Sequence, residues 1–99
     1  MRPILLARLD KVRPVLVLTR EIVRPHMSKV SVAPITSTIR GLSTEVPVGP
    51  ENGLDHESVV SCDNILTILA SDLLQQIGFL LPHQEMALHQ ALVAAFDLG

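Results

Sequence analysis

The chain has 99 residues, of which 47% are hydrophobic, with a single cysteine and a formal net charge of −2. This length supports one hydrophobic core, so residues 1–99 are assigned to a single domain. No apolar run approaches the roughly 18 to 20 residues of a membrane span, and Cys62 has no partner for an internal disulfide. We therefore expect a soluble, cytoplasmic protein without membrane association, with Cys62 as a small buried hydrophobe.

The charges are distributed unevenly along the chain. All eight Lys and Arg lie in residues 1–40 with only two acids, a net charge of +6, whereas residues 41–99 carry eight acids and no Lys or Arg, a net charge of −8. Such asymmetry predicts a basic surface that attracts a polyanion. The alternative is two faces that neutralise each other by contact. The high hydrophobic content leaves apolar surface for a partner, so we expect at least a homodimer.

Short apolar runs predict three strands in the first half of the chain. The second run is apolar at consecutive positions, which is typical of a central strand covered on both faces. Pro34 in the third run indicates a bulge or a strand end. The predicted strands are Ile4–Leu9, Pro14–Leu18 and Lys29–Ile35, with Asp10 and Lys11 as a tight connection and Arg20–Met27 as a connection or a short helical turn.

The second half of the chain predicts further short strands and one late helix. The strongest turn signal is Gly49–Gly53. Ser71 can cap a short helix that extends to Gln75. Pro82 suits a first helical position, and Leu88, Leu92 and Phe96 fall on one helix face that we expect to pack inward. The predicted strands are Thr44–Val48 at an edge, Val59–Cys62, Asn64–Ile68 and a short one at Gly78 and Phe79.

Arg13 stands at the beginning of an apolar strand, where a guanidinium cannot be buried without an anionic partner. Thr36 ends the third predicted strand and is followed by two hydroxyl residues and Arg40. An Arg at one strand end and a Thr at another make a plausible phosphate site. The alternative for Arg13 is a structural ion pair with Asp10 or Asp63, and for Thr36 an ordinary strand position.

An ordered set of motifs resembles one family. The segments Arg13–Val17 (RPVLV) and Val32–Thr36 (VAPIT) are followed by Ser58–Ile68, by Ile77–Leu80 and by a closing amphipathic helix. In this order they resemble the MazF/PemK family of toxin endoribonucleases, in a short, actinobacterial-type form. The family usually has a long Gly/Ser-rich loop before the RP motif, which is almost absent here.

The resemblance implies a fold, an activity and a set of site residues. The implied fold is mainly β with α, a small SH3-like barrel of the MazF/PemK/CcdB toxin type with a C-terminal helix. The implied activity is that of a type II toxin, a sequence-specific endoribonuclease that cleaves single-stranded RNA without metal by attack of the 2′-hydroxyl. Arg13 and Thr36 match the family's catalytic residues. Ser37, Thr38, Arg40 and Arg20 are candidate RNA-binding residues.

The implied partners are single-stranded RNA, a MazE-like antitoxin and a second copy of the chain, with no cofactor. Toxins of the same fold that poison DNA gyrase are the alternative function, and a catalytically inactive dimeric regulator is a third. His26, His56, His83 and His89 lie in separate elements, so we interpret them as solvated or capping residues. Glu21 is a candidate general base or a surface charge. No cluster of residues has metal-ligand spacing.

Overall fold

The computed structural model describes residues 1–99 as a curved antiparallel sheet with one α-helix. The molecule measures 32 × 32 × 26 Å, so the seven strands bend around the core rather than lying flat. The strands are β1 Pro3–Arg8, β2 Val12–Val17, β3 Lys29–Thr36, β4 Glu45–Val48, β5 Ser58–Ser61, β6 Leu66–Leu69 and β7 Leu73–Phe79, and the helix is α1 Glu85–Phe96. No helix is long and apolar enough to cross a membrane.

The strand order is β4-β5-β3-β2-β1-β7, with β6 paired to β3 outside this path. Strand β3 changes partners along its length. Its first residues pair with β6, its middle pairs with β2, and Ile35 and Thr36 pair with β5. Pro34 lies opposite Val15 in regular register two residues before the strand ends, so no bulge forms there. The change of partner brings the end of β3 between β2 and β5.

Strand β2 is covered on both faces, as its continuous apolar sequence predicted. Leu16 belongs to the larger core cluster, which includes residues of β4, β5 and α1. Val15 and Val17 point to the opposite side and pack in a smaller cluster with β3. Cys62 is 2% exposed within the larger cluster, which confirms it as a small buried hydrophobe. Burial raises the pKa of its thiol to about 11.

The turn at residues 49–53 is fastened by buried amides. Asn52 and Gln84 are both buried, and the Asn52 side-chain amide donates to the Gln84 carboxamide oxygen at 2.6 Å and to the Phe79 carbonyl at 2.9 Å. The Gly49 amide in turn donates to the side-chain oxygen of Asn52 at 3.0 Å. This network joins the turn to the end of β7 and to the beginning of α1.

Two sequence predictions are wrong. Residues 71–75 do not form a helix: a 3-10 turn at Ala70–Asp72 leads directly into β7, because β7 pairs with β1 along its length. Long-range pairing there outweighs the local capping signal of Ser71. Phe96 does not pack inward but is 57% exposed. The helix buries Leu88 and Ala91, with Leu92 half-buried, so its inner face is rotated toward the alanines.

Candidate active site

Arg13 and Thr36 meet because of the register between two strands. Val15 of β2 lies opposite Pro34 of β3, and the same antiparallel register continued by two residues puts Arg13 opposite Thr36. Directly opposite residues of an antiparallel pair project from the same face of the sheet. The two predicted catalytic side chains therefore lie side by side, and both line one cleft.

Arg13 is oriented by a bidentate ion pair with Asp10. Its Nε donates to Oδ1 of Asp10 at 2.8 Å and its Nη2 donates to Oδ2 at 3.0 Å. Asp10 precedes β2 in the tight turn after β1, and the pair spans only three residues. The remaining N–H groups of the guanidinium make no hydrogen bond within the protein, and they offer donors for an anion in the cleft. Asp63, the other acid considered, instead accepts a hydrogen bond from Thr44 at 2.6 Å.

The ion pair also fixes the protonation of both groups. The hydrogen bonds from Arg13 hold the pKa of the Asp10 carboxyl far below its ordinary value, and those to Asp10 raise the pKa of Arg13. Both groups therefore stay charged across the physiological pH range. Asp10 acts here as a fixed negative partner that orients the guanidinium.

Thr36 ends β3 as a half-buried residue whose hydroxyl is partly engaged. The backbone amide of Thr38 donates to Oγ1 of Thr36 at 3.1 Å. The Thr36 hydroxyl proton remains available for a ligand, because the oxygen serves only as an acceptor in this bond. Restricted χ1 freedom in a β-branched residue helps to hold this donor in one direction.

The cleft around these residues has a volume of about 410 Å³. Its apolar lining comes from five separate segments of the chain and includes Leu6, Leu54 and Ile77. Its polar side chains are Lys11, Arg13, Thr36, Ser37, Asp55, His56 and Ser58. Volume and mixed lining match those of sites that hold a ligand by apolar contact and a few polar groups.

A second, more polar cleft of about 540 Å³ shares Thr36 with the first. Thr38 and Arg40, two of the predicted RNA-binding residues, line it. The backbone amides of Arg40 and Leu42 both donate to Oε1 of Glu45 at 3.1 Å, which fixes the loop after β3. The structure thus divides the residues after Thr36, with Ser37 in the first cleft and Thr38 and Arg40 in the second.

Arg20 lies apart from both clefts. It follows the far end of β2 from Arg13 and borders two other depressions, one of which also contains Glu21. The candidate general base Glu21 is therefore not in the cleft of Arg13. Of the six predicted site residues, Arg13, Thr36 and Ser37 line the first cleft, Thr38 and Arg40 line the second, and Arg20 lines neither.

Four polar cleft residues had no part in the predicted site: Lys11, Asp55, His56 and Ser58. Lys11 lies in the turn between β1 and β2, whereas the position of the other three follows from the pairing of β3 with β5, in which Thr36 lies opposite Val59. The segment that leads into β5 is thereby brought beside the end of β3. The sequence does contain a polar segment immediately before Val59, but that segment indicates cleft residues only when the strand pairing is known.

The basic residues remain largely unpaired. Only two ion pairs form, Arg13 with Asp10 and Arg2 with Glu85, and only the second joins the basic and acidic parts of the chain. Broad contact between two neutralising faces is therefore not what this fold shows. The basic residues stay available to attract a polyanion.

Fold and cleft together define a small, mainly β protein in which an Arg and a Thr from adjacent strands line one cleft. The chain belongs to the family described as PemK-like, MazF-like toxin of type II toxin-antitoxin system, which matches residues 4–96. It is 64% identical over 98 residues to a Mycobacterium tuberculosis protein named Endoribonuclease MazF3, and the match covers 99% of this chain and 95% of that one. The predicted family is confirmed.

Two solved structures are similar to this chain over nearly its whole length. The Mycobacterium tuberculosis toxin MazF-mt6 has a TM-score of 0.97 and 63% identity, with 99% of both chains covered. A mycobacterial endoribonuclease in complex with its cognate antitoxin has a TM-score of 0.87 and 26% identity, with 98% of this chain and 93% of that one covered. The predicted toxin fold, mainly β with a C-terminal helix, is confirmed.

Proposed function

We propose that this protein is the toxin of a type II toxin–antitoxin system and an endoribonuclease that cleaves single-stranded RNA without a metal ion. The observation that carries the proposal is the juxtaposition of Arg13 and Thr36 in one cleft of a family member. Both side chains present hydrogen-bond donors to the same space. Such preorganised donors stabilise charge that develops on a phosphate during transesterification.

In the proposed reaction the 2′-hydroxyl of one nucleotide attacks the adjacent phosphorus, and the 5′-oxygen of the next nucleotide leaves. Arg13 presents a planar, charged donor edge to the nonbridging oxygens, and Thr36 donates to another oxygen from a restrained rotamer. A guanidinium stays protonated at physiological pH, so the role of Arg13 is electrostatic. The products are a 2′,3′-cyclic phosphate and a 5′-hydroxyl.

RNA binding extends beyond the scissile phosphate in this proposal. Ser37 contacts RNA in the first cleft, and Thr38 and Arg40 contact the adjoining nucleotide through the second. Arg20, at the opposite end of β2, contacts a more distant phosphate. Only Phe79 and Phe96 are aromatic, so base stacking on aromatic rings contributes little and sequence preference depends on hydrogen bonds and pocket shape.

The protein acts in the cytoplasm as a homodimer that a MazE-like antitoxin restrains. Exposed apolar side chains such as Ile22 and Met86 support association with a partner, as does the complex of a similar mycobacterial endoribonuclease with its antitoxin. The curated relative at 64% identity is named an endoribonuclease. The alternative of a gyrase poison has no corresponding support.

The direct test is incubation of the purified protein with single-stranded RNA in excess EDTA, followed by analysis of the new ends. We expect cleavage, with 5′-hydroxyl ends that a polynucleotide kinase can label without prior dephosphorylation. Strict dependence on added Mg²⁺, or 5′-phosphate ends, would contradict the proposed mechanism. Sequencing of the labelled ends identifies the recognition sequence in the same experiment.

A further inference from the structure

The proposed reaction needs a group that accepts the proton of the attacking 2′-hydroxyl. Arg13 is a cation and cannot accept a proton. Asp10 is a poor acceptor, because its ion pair with Arg13 holds the pKa of the carboxyl far below the ordinary range. The hydroxyls of Thr36 and the neighbouring serines are not bases at neutral pH. The Arg13–Thr36 pair therefore leaves one catalytic role unfilled.

The opposite wall of the cleft, the segment 53–58, contains the remaining proton acceptors. His56 and Asp55 both line the cleft as exposed side chains. Lys11 and Arg13, which also line the cleft, are cations. Between the two acceptors, an imidazole is the stronger base and the one that enzymes use most often for proton transfer near neutral pH.

The beginning of this segment is held against β7 by backbone contact. Gly53 adopts φ +87°, and a Cβ at this position would lie 1.9 Å from the Ile77 carbonyl oxygen. A Cβ on Gly78 would likewise lie 1.9 Å from the Asn52 carbonyl oxygen. The two glycines thus allow an approach that no other residue permits. The buried hydrogen bonds between Asn52 and Gln84 also hold this turn in place.

The end of the segment is fixed by a hydrogen bond and by a strand. The hydroxyl of Ser58 donates to the backbone carbonyl of His56 at 3.1 Å, and Ser58 begins β5. Val59 then pairs with Thr36, so the position of His56 along the cleft is tied to that of Thr36. The His56 imidazole itself makes no hydrogen bond within the protein, and both of its nitrogens remain available to a substrate.

We propose that His56 is the general base of the cleavage reaction, which deepens the proposed function and rests on it. Its neutral imidazole takes the 2′-hydroxyl proton as the 2′-oxygen forms its bond to phosphorus. The bond from phosphorus to the 5′-oxygen breaks, the electron pair leaves with that oxygen, and water supplies its proton. The imidazolium then returns its proton to water, so no other reactant is consumed.

The charged neighbours of His56 come from three parts of the fold. Lys11 and Arg13 line the cleft from the β1–β2 turn and from β2, and Asp55 lines it from the same segment as His56. Glu57 is turned away, since its carboxylate packs against Gly49 on another surface. Asp55 is therefore the acceptor that competes with His56 for the role.

The test compares His56→Gln with Asp55→Asn and with His83→Gln, which changes an exposed histidine outside the cleft. For His56→Gln we expect kcat to fall by about 10²–10⁴ with KM little changed, as for the loss of a general base. The rise of kcat with pH in the wild-type enzyme should also disappear. His56→Ala should recover activity when imidazole is added, a readout that a structural role does not give.

Each other result overturns the assignment. His56→Gln with wild-type kcat and pH profile excludes His56, and a large loss of kcat in Asp55→Asn alone assigns the role to Asp55. A loss confined to KM indicates RNA binding. A defect that vanishes on a substrate with a 5′-thiolate leaving group shows that His56 is an acid. If the wild-type enzyme cleaves no RNA, the proposed function fails as well, which separates the two failures.

Discussion

Among single residues, Arg13 forms an ion pair with the Asp10 carboxylate and, in the proposed reaction, also contacts the substrate phosphate. The pair with Asp10 uses the Nε and one Nη2 hydrogen. This arrangement restricts the orientation of the guanidinium in advance, so less conformational freedom is lost when a phosphate binds to the remaining edge. A lysine at position 13 would keep the charge but would lose the second donor edge.

The ion pair between Arg13 and Asp10 predicts a change in the pKa of Asp10 that can be measured without substrate. Replacement of Arg13 by Ala should raise the pKa of Asp10 toward the ordinary aspartate range, because the hydrogen bonds from the guanidinium are its main cause of depression. A depressed carboxyl pKa stabilises the fold above the unfolded pKa, and this contribution is lost as the pH falls through the folded pKa. Carboxyl-detected NMR titration checks this prediction, and an unshifted Asp10 in the variant contradicts the pair.

Substitution of Arg40 should weaken RNA binding without a direct effect on the catalytic step. Arg40 borders the second cleft and lies outside the cleft of Arg13, so Arg40→Ala should weaken binding of all RNAs to a similar extent. The salt dependence of binding should also become shallower by about one phosphate contact. Affinity measured over a range of salt concentrations tests this, with Lys29→Ala as the charge-matched control. An unchanged slope for Arg40→Ala removes it from the RNA interface.

At the level of elements, the turn 49–53 and the helix α1 are coupled by buried polar groups. Gln84 accepts hydrogen bonds from Asn52 and from the Leu81 amide, and its own amide donates to Glu51 at 3.1 Å. Because these groups lie away from water, each bond that is lost leaves a donor or an acceptor unsatisfied. The turn supports the cleft wall, so its rigidity bears on the site.

Gln84→Ala should therefore destabilise the fold by about 1–3 kcal/mol, the cost of leaving a buried polar group without its partner. Gln90→Ala on the exposed side of α1 is the matched control and should change stability by no more than about 0.5 kcal/mol. The measurement is urea unfolding of the two variants. Equal midpoints for both would show that the buried network contributes little.

The accuracy of the sequence predictions differed between elements for physical reasons. Strands β2 and β3 were predictable because their apolar runs are long and bounded by polar residues. Residues 71–75 were not, because a local cap signal competed there with pairing to β1, which lies some 70 positions away in sequence. Phe96 was misplaced because the helix packs its Leu88 and Ala91 side against the core, which leaves the Phe96 ring mostly exposed.

The same distinction applies to the site. Arg13 and Thr36 were identified from their motifs, and the strand register then placed them together. His56 and Ser58 could not be placed with them, because their position depends on the pairing of β3 with β5, a long-range feature that has no local signal. Arg20 shows the opposite case. It is close to the RP motif in sequence, but β2 runs between them and places Arg20 at the other end of the strand.

For the whole molecule, the uneven charge distribution has a consequence for regulation. The basic residues are mostly unpaired, so we expect an acidic antitoxin segment and RNA to compete for overlapping surfaces. A saturating cognate antitoxin should therefore abolish RNA binding as well as cleavage. Fluorescence anisotropy with labelled RNA measures this directly, and RNA that remains bound in the presence of saturating antitoxin would exclude competition at the RNA surface.

The central claim is that Arg13 and Thr36 stabilise the transition state of RNA cleavage, and single-turnover cleavage by Arg13→Ala and Thr36→Ala tests it most directly. Loss of one preorganised donor typically lowers the rate by 10²–10³. We expect a loss of about 10³ for Arg13→Ala, since its donor is charged, and about 10² for Thr36→Ala. Both variants should retain the wild-type circular dichroism spectrum and dimeric mass. Cleavage by Arg13→Ala at the wild-type rate, or unfolding of that variant, would contradict the claim.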